Sequence, residues 1–222
     1  ALGLRNKPVS MKKIALTALV SACFMFFTEA GAQPPAFGIR AGANFSTLTG
    51  KDNNGYEFTN RMKTGIHAGV NLSIPVAQDF VVRPELLYSE KGAESPAGNQ
   101  YKLSYVEVPV NLIYKPVLGK GRLMLGFGPY MAFGVGGKVT FTNGEIHDVA
   151  FRSNVTEPEA RTAYYRSTDA GLNVLGGYDF GRLSVQLNGQ LGMTNIYPEF
   201  NGVEPTARLK NQGFGVSLGL KL

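Results

Sequence analysis

The sequence predicts an all-β fold, an eight-stranded antiparallel transmembrane up-and-down β-barrel. Three observations carry that expectation. Several segments alternate apolar and polar residues with a strict period of two, the mark of a strand with two unlike faces. These runs exceed the roughly five or six residues of a soluble strand and suit the roughly nine to eleven that a tilted membrane-crossing strand needs. The connections between them alternate long and short, as in a barrel with short periplasmic turns and longer external loops.

The N-terminal region reads as a targeting segment. Met11-Lys12-Lys13 followed by IALTALVSACFMFF gives a positive stretch and an apolar stretch, and Ala30-Gly31-Ala32 supplies small residues for cleavage before Gln33. Residues 1–32 are therefore read as upstream residues and a cleaved signal peptide, with Met11 the better start, and residues 33–222 as the barrel domain. Val20-Ser21-Ala22-Cys23 offers a competing lipoprotein box, against which the apolar run continues to Phe27. Cys23 is the sole cysteine, so residues 33–222 can form no internal disulfide.

The first strand is expected over Phe37 to Thr47, with Phe37, Ile39, Ala41, Ala43 and Phe45 outward and Arg40 and Asn44 inward. A polar loop rich in Asn, Asp and Gly leads to the second, Gly65 to Ile74, where Ile66, Ala68, Val70, Leu72 and Ile74 share the apolar face and His67 points inward. Residues 75–79 link it to the third, Phe80 to Lys91, with Val82, Leu86 and Tyr88 outward and Arg83, Glu85 and Ser89 inward. After a loop from Gly92 to Asn99, the stretch Tyr101 to Gly137 reads as two long strands joined by a tight turn. Val106, Val108, Val110, Leu112 and Tyr114 alternate with Tyr105, Glu107, Pro109, Asn111 and Lys115; then Leu123, Leu125, Phe127, Met131, Phe133 and Val135 alternate with Met124, Gly126, Gly128, Tyr130, Ala132 and Gly134. Pro84 and Pro109 each remove a ladder donor without breaking the alternation.

The longest irregular stretch runs to about Ser167, its start (KVTFTN) able to prolong the fifth strand above the membrane. The sixth strand is Thr168 to Phe180, with Asp169, Asn173 and Asp179 inward. A Gly181-Arg182 link gives the seventh, Leu183 to Ile196, and a loop over Tyr197 to Thr206 precedes the eighth, Arg208 to Leu222. Phe37, Phe80, Tyr114, Tyr178 and Phe180 fall at the periplasmic strand ends, where an aromatic girdle belongs.

Composition agrees with this reading. Among 222 residues, Gly numbers 28 and only 17% are charged, and a mean hydropathy of −0.05 fits apolar residues diluted by polar partners rather than apolar helices. The formal charge is +6, but four basic residues and one acidic residue precede position 33, which leaves 18 basic against 15 acidic groups, a net of +3. No basic run with interleaved aromatics appears, so nucleic acid is not an expected partner. The expected partners are the lipid bilayer of the outer membrane, the barrel assembly machinery during biogenesis, and an unspecified surface ligand or protein.

Gly38-x-Arg-x-Gly42-x-Asn44, Tyr105-Val-Glu-Val-Pro-Val, Gly126-Phe-Gly-Pro-Tyr130, Gly192-Met-Thr-Asn-Ile196 and the closing Phe214-x-Val-x-Leu-x-Leu-x-Leu222 carry a resemblance. In their order and spacing, from about Phe37 onward, the chain resembles the PorT-like outer-membrane β-barrel family of Gram-negative bacteria. The resemblance implies an eight-stranded outer-membrane barrel in a family whose members mostly have no assigned activity. One departure is that such barrels commonly finish on an aromatic residue read by the assembly machinery, where this sequence has Leu222.

Few residues suggest chemistry. His67 is expected in the lumen and His147 in the long loop. A hydrolytic site needs a base, a nucleophile and an orienting group within hydrogen-bond reach, and Ser73 lies too far along the strand from His67. No His/Cys/Asp/Glu spacing points to a metal, and no cofactor is expected. Gly134-Val-Gly-Gly-Lys138 lacks the first Gly and the Ser/Thr of a phosphate loop, since Val139 follows the lysine.

The remaining candidates are the inward charges Arg40, Arg83, Glu85, Glu107, Asp169 and Asp179, which either line a pore or form a packed lumen network. Eight strands enclose an interior just wide enough for side chains to fill. In the packed case Glu85 and Glu107 lie in nearby layers and share Arg40 and Arg83, while Gly126, Gly128 and Gly134 make room for the arginines and Tyr130. The expected function is a non-enzymatic barrel with a filled lumen and long external loops for surface interaction. Alternatives are a small transport pore, a barrel enzyme acting on lipid or peptide, and a soluble carrier barrel, the last opposed by the apolar outward faces.

Overall fold

The computed structural model describes residues 34–222. The signal segment, with its expected cleavage between Ala32 and Gln33, and the competing site at Cys23 lie outside the described residues. Eight long strands form the barrel: β1 (Ala36–Lys51), β2 (Arg61–Ala77), β3 (Phe80–Glu94), β4 (Gln100–Tyr114), β5 (Gly121–Thr140), β6 (Thr168–Asp179), β7 (Leu183–Gly192) and β8 (Arg208–Lys221). Each pairs antiparallel with the next, and β8 returns to β1, so the barrel is closed and its strands have no free edge. The closing register runs from Gly38–Lys221 to Lys51–Arg208, and the Leu222 amide donates to the Phe37 carbonyl at 2.9 Å.

Period-two alternation becomes a two-faced wall. Val108, Val110, Leu112, Phe127, Leu187 and Leu218 are exposed on the outside, whereas Arg40, His67, Glu85, Glu107, Asn111 and Asp169 are buried inside. The prolines leave the β3–β4 register intact, with Pro84 opposite Val110 and Leu87 opposite Glu107 on either side of the gap. Aromatic rings gather at the short-turn end: Phe80 and Tyr114 lie 5.0 Å apart, and Tyr178 and Phe180 4.7 Å. The turn between β6 and β7 needs Gly181, whose φ of 103° disfavours a side chain.

Several bounds differ from expectation. β2 runs on to Ala77, so residues assigned to a link belong to the ladder. β7 stops at Gly192 instead of Ile196, because the regular ladder is lost there: the Met193 and Thr194 amides both donate to the one Ala170 carbonyl, and Ile196 donates to Leu209 out of the β7–β8 register. At the long-loop end β1 and β3 extend beyond the expected positions, and β5 runs on into KVTFTN as far as Thr140, as expected. Ile146–Phe151 folds back onto β5, and Thr162–Tyr165 pairs parallel with it.

Those extensions enclose a second core. Leu48, Ala93, Leu103, Tyr105, Val139, Val149, Tyr165, Ile196 and Leu209 are buried together beneath the loops, with Phe58, Phe141, Phe151 and Tyr197 packed against them. A bulge on β5 sets the phase: Tyr105 pairs with Gly134 but Ser104 with Gly136, so the parity flips and Val139 turns inward. A smaller apolar group, Ile113, Met124 and Leu175, lies inside nearer the short-turn end.

Candidate functional site: the barrel lumen

Two charged clusters occupy the interior. In the lower one, β3 contributes both Arg83 and Glu85, two residues apart and so on one face. Glu85 takes Arg83 Nε at 2.9 Å on one carboxylate oxygen and Arg40 Nε of β1 at 2.5 Å on the other. Arg83 Nη2 donates to Gln186 Oε1 at 2.5 Å, and Arg40 Nη1 donates to Ser217 Oγ at 3.1 Å. Asn111 reaches Glu85 and in turn accepts from Asn173 at 2.7 Å.

The upper cluster centres on Lys91. Its Nζ lies 2.6 Å from Glu107 and 4.0 Å from Asp169, with the Tyr130 ring centroid at 4.6 Å. Gln190 donates to Glu107 at 3.0 Å; Asn211 and the Tyr130 hydroxyl donate to one Asp169 oxygen at 2.9 and 3.2 Å. The side chains of Lys91, Glu107 and Asp169 are all almost wholly removed from solvent. Such burial is tolerable only where each charge meets an opposite charge and further hydrogen bonds.

Of the six charged residues singled out in the sequence, Arg40, Arg83 and Glu85 meet in the lower cluster and Glu107 and Asp169 in the upper. Asp179 joins neither; it faces Lys115 at 2.5 Å near the short-turn mouth, where Arg122 and Asp79 also pair. Glu85 and Glu107 do not share Arg40 and Arg83, because Lys91, which the sequence reading passed over, serves Glu107. The signal for it was present: counting in twos from Arg83 along β3 reaches Glu85, Leu87, Ser89 and Lys91. The inward glycines also serve other ends. A Cβ at Gly134 would stand 2.1 Å from the Phe151 ring, and one at Gly128 would stand 1.9 Å from the Val110 carbonyl. They admit a loop aromatic and a close strand neighbour rather than arginines.

His67 is buried with Nε2 2.7 Å from Ser217 Oγ, while its Nδ1 has no hydrogen-bond partner among the described residues. Serine and histidine thus meet, but through Ser217 of β8 rather than Ser73, and without a group to orient the ring. His147 lies in the long loop, 3.1 Å from Glu145. Among the described residues no group of three or more His, Cys, Asp or Glu side chains could hold a metal ion.

A sequence model described as outer membrane protein beta-barrel domain matches residues 32–197, three quarters of the chain. The chain belongs to this family. The protein is accordingly an outer-membrane barrel: its apolar outer wall meets lipid, its short turns face the periplasm and its long loops face outward. No curated protein sequence matches it. Solved structures similar to it include Neisserial surface protein A (13% identity, TM-score 0.47) and the attachment invasion locus protein Ail of Yersinia pestis in complex with the heparin analogue sucrose octasulfate (11%, 0.42). Each match covers 86% of this chain and 100% of the other. The NanC porin is also similar, at 12% identity and a TM-score of 0.22, over 84% of this chain and 100% of that one.

Proposed function

We propose that this protein is a non-enzymatic outer-membrane barrel of the PorT-like kind, with a lumen filled by its own side chains and external loops that present a surface for interaction. The observation that carries the reading is the charge balance inside the wall. Arg40, Arg83 and Lys91 oppose Glu85, Glu107 and Asp169, all of them buried, beneath an apolar core that roofs the lumen. A conducting path through eight strands would need those charges hydrated, and here they meet one another. The absence of an orienting partner for His67 argues against hydrolysis, since a serine–histidine pair works as nucleophile and base only when the ring is held.

The external loops are suited to contact because they are tied together. Asn154–Val155 pairs with Glu199–Phe200, Arg166 grips both oxygens of Glu204 at 3.0 and 2.9 Å, and Asn53 accepts from Thr206 and the Ala207 amide. Tyr56, Phe200 and Val203 stand exposed on this platform. Preorganised loops lose less entropy when they bind. The proposed partners are outer-membrane lipid, the assembly machinery during biogenesis and a surface ligand or protein, with no nucleic acid and no cofactor.

Planar-bilayer recording tests the filled lumen: the purified barrel is expected to insert without steady conductance. Steady ohmic conductance would overturn the reading in favour of a transport pore. Crosslinking from residues 56 and 200 in intact cells is expected to capture a defined partner.

A further inference from the structure

We infer that the periplasmic mouth of the barrel is a binding site for a small oxyanion, phosphate-like in charge and geometry, which goes beyond the role proposed for the external loops. A cavity of about 100 Å³ opens there between the strand ends. Its lining includes five cations, Arg40, Arg83, Lys115, Arg182 and Lys221, against a single carboxylate, Asp179. Behind the wall Glu85 answers both arginines at once, so one negative charge serves two positive ones. Asp179 is matched by Lys115. The lining therefore keeps a positive excess of three, which favours anions from the periplasm.

The donors available suit an oxyanion. Arg40 commits Nε and Nη1 to Glu85 and Ser217; Arg83 commits Nε and Nη2 to Glu85 and Gln186. Each guanidinium has five N–H donors, so both arginines have donors to spare. Gln186 lines the same cavity, is only 3% exposed, and its Nε2 has no hydrogen-bond partner among the described residues. Two fixed guanidinium planes and an amide donor match the several acceptor oxygens of a phosphate-like ion better than they match chloride. The arginines are already held by Glu85, Ser217 and Gln186, so binding requires little ordering of long side chains.

The charges inside the wall reinforce this polarity. The lower cluster has two arginines to one glutamate, and the upper cluster has one lysine to two carboxylates. The excess positive charge is thus at the periplasmic end and the excess negative charge at the external end. An anion entering from the periplasm meets the favourable side of that field.

Calorimetric titration of inorganic phosphate into the folded barrel, in zwitterionic detergent at constant ionic strength, tests the site. Wild type is expected to give saturable binding at one site per barrel and a raised melting temperature. Gln186→Glu keeps an acceptor for Arg83 but places a carboxylate in the cavity, so it should fold and lose about tenfold or more in phosphate affinity. Arg182→Glu, on the exposed turn at the rim, should weaken binding without altering the fold and serves if Gln186→Glu does not fold. Lys120→Gln, on a periplasmic turn outside the cavity lining, should leave binding unchanged. Absence of saturable binding by wild type would overturn the site. So would phosphate affinity unchanged in the folded variants, which would put the ion on scattered surface cations.

Discussion

At the residue scale, the two clusters differ in how many partners each charge has, and that sets what a substitution costs. Among the described residues Lys91 is the only cation paired with Glu107 and Asp169, so Lys91→Met would leave both buried with neutral donors alone. The expected loss is roughly 3–5 kcal/mol, and adding Glu107→Gln should recover much of it. Arg40→Ala is expected to cost less, about 1.5–3 kcal/mol, because Glu85 keeps Arg83. Urea titration of the barrel folded in lipid vesicles measures both, and equal losses would show that the clusters act as one. Parity along a strand was legible for these residues, since it placed Arg40, Arg83, Glu85, Glu107 and Asp169 inside. Who meets whom was not legible, because a pairing across the lumen depends on strand stagger and side-chain reach, which no single strand encodes.

At the element scale, alternation located all eight strands because membrane crossing imposes length and two unlike faces together. It failed at the outer ends, where a strand leaves lipid and its faces answer to a different environment. Leu103, Val139 and Leu209 look like lipid-facing residues by composition yet are buried beneath the loops. The bulge opposite Ser104 shifts phase without any sequence marker beyond the neighbouring glycines. Two predictions belong here. Val108→Arg should cost roughly 2–4 kcal/mol near the bilayer midplane, while Val110→Leu at similar depth should be nearly silent; equal folding yields in vesicles would contradict a lipid-facing β4. Gly134→Val should expel Phe151 from the roof, since even a single added carbon stands 2.1 Å from that ring. External protease is then expected to cut residues 141–167 much faster than in wild type, with the barrel itself still resistant.

At the scale of the whole molecule, the closed order of strands was readable from alternating long and short connections, which leave an even-stranded barrel as the consistent solution. The tie between the two largest loops was not, because Asn154–Val155 and Glu199–Phe200 are too short to carry a pattern. The β1–β8 seam has a consequence in time rather than in stability. Its two strands are separated by nearly the whole described chain, so no residue of that ladder can pair until every other strand has been made and delivered. Until then β1 and β7 present bare edges to anything nearby. Non-local pairings of this kind are slow because the entropy of gathering the chain is lost before the ladder forms. Phe37 and Leu222 are already in backbone contact, so a short linker could join the ends and the chain could be reopened in the loop at residues 96–97. That permutant is expected to reach the same barrel with nearly the same equilibrium stability. The β3–β4 ladder, now the non-local seam between its last and first strands, would become its slow final event, read as a changed refolding rate at constant urea midpoint.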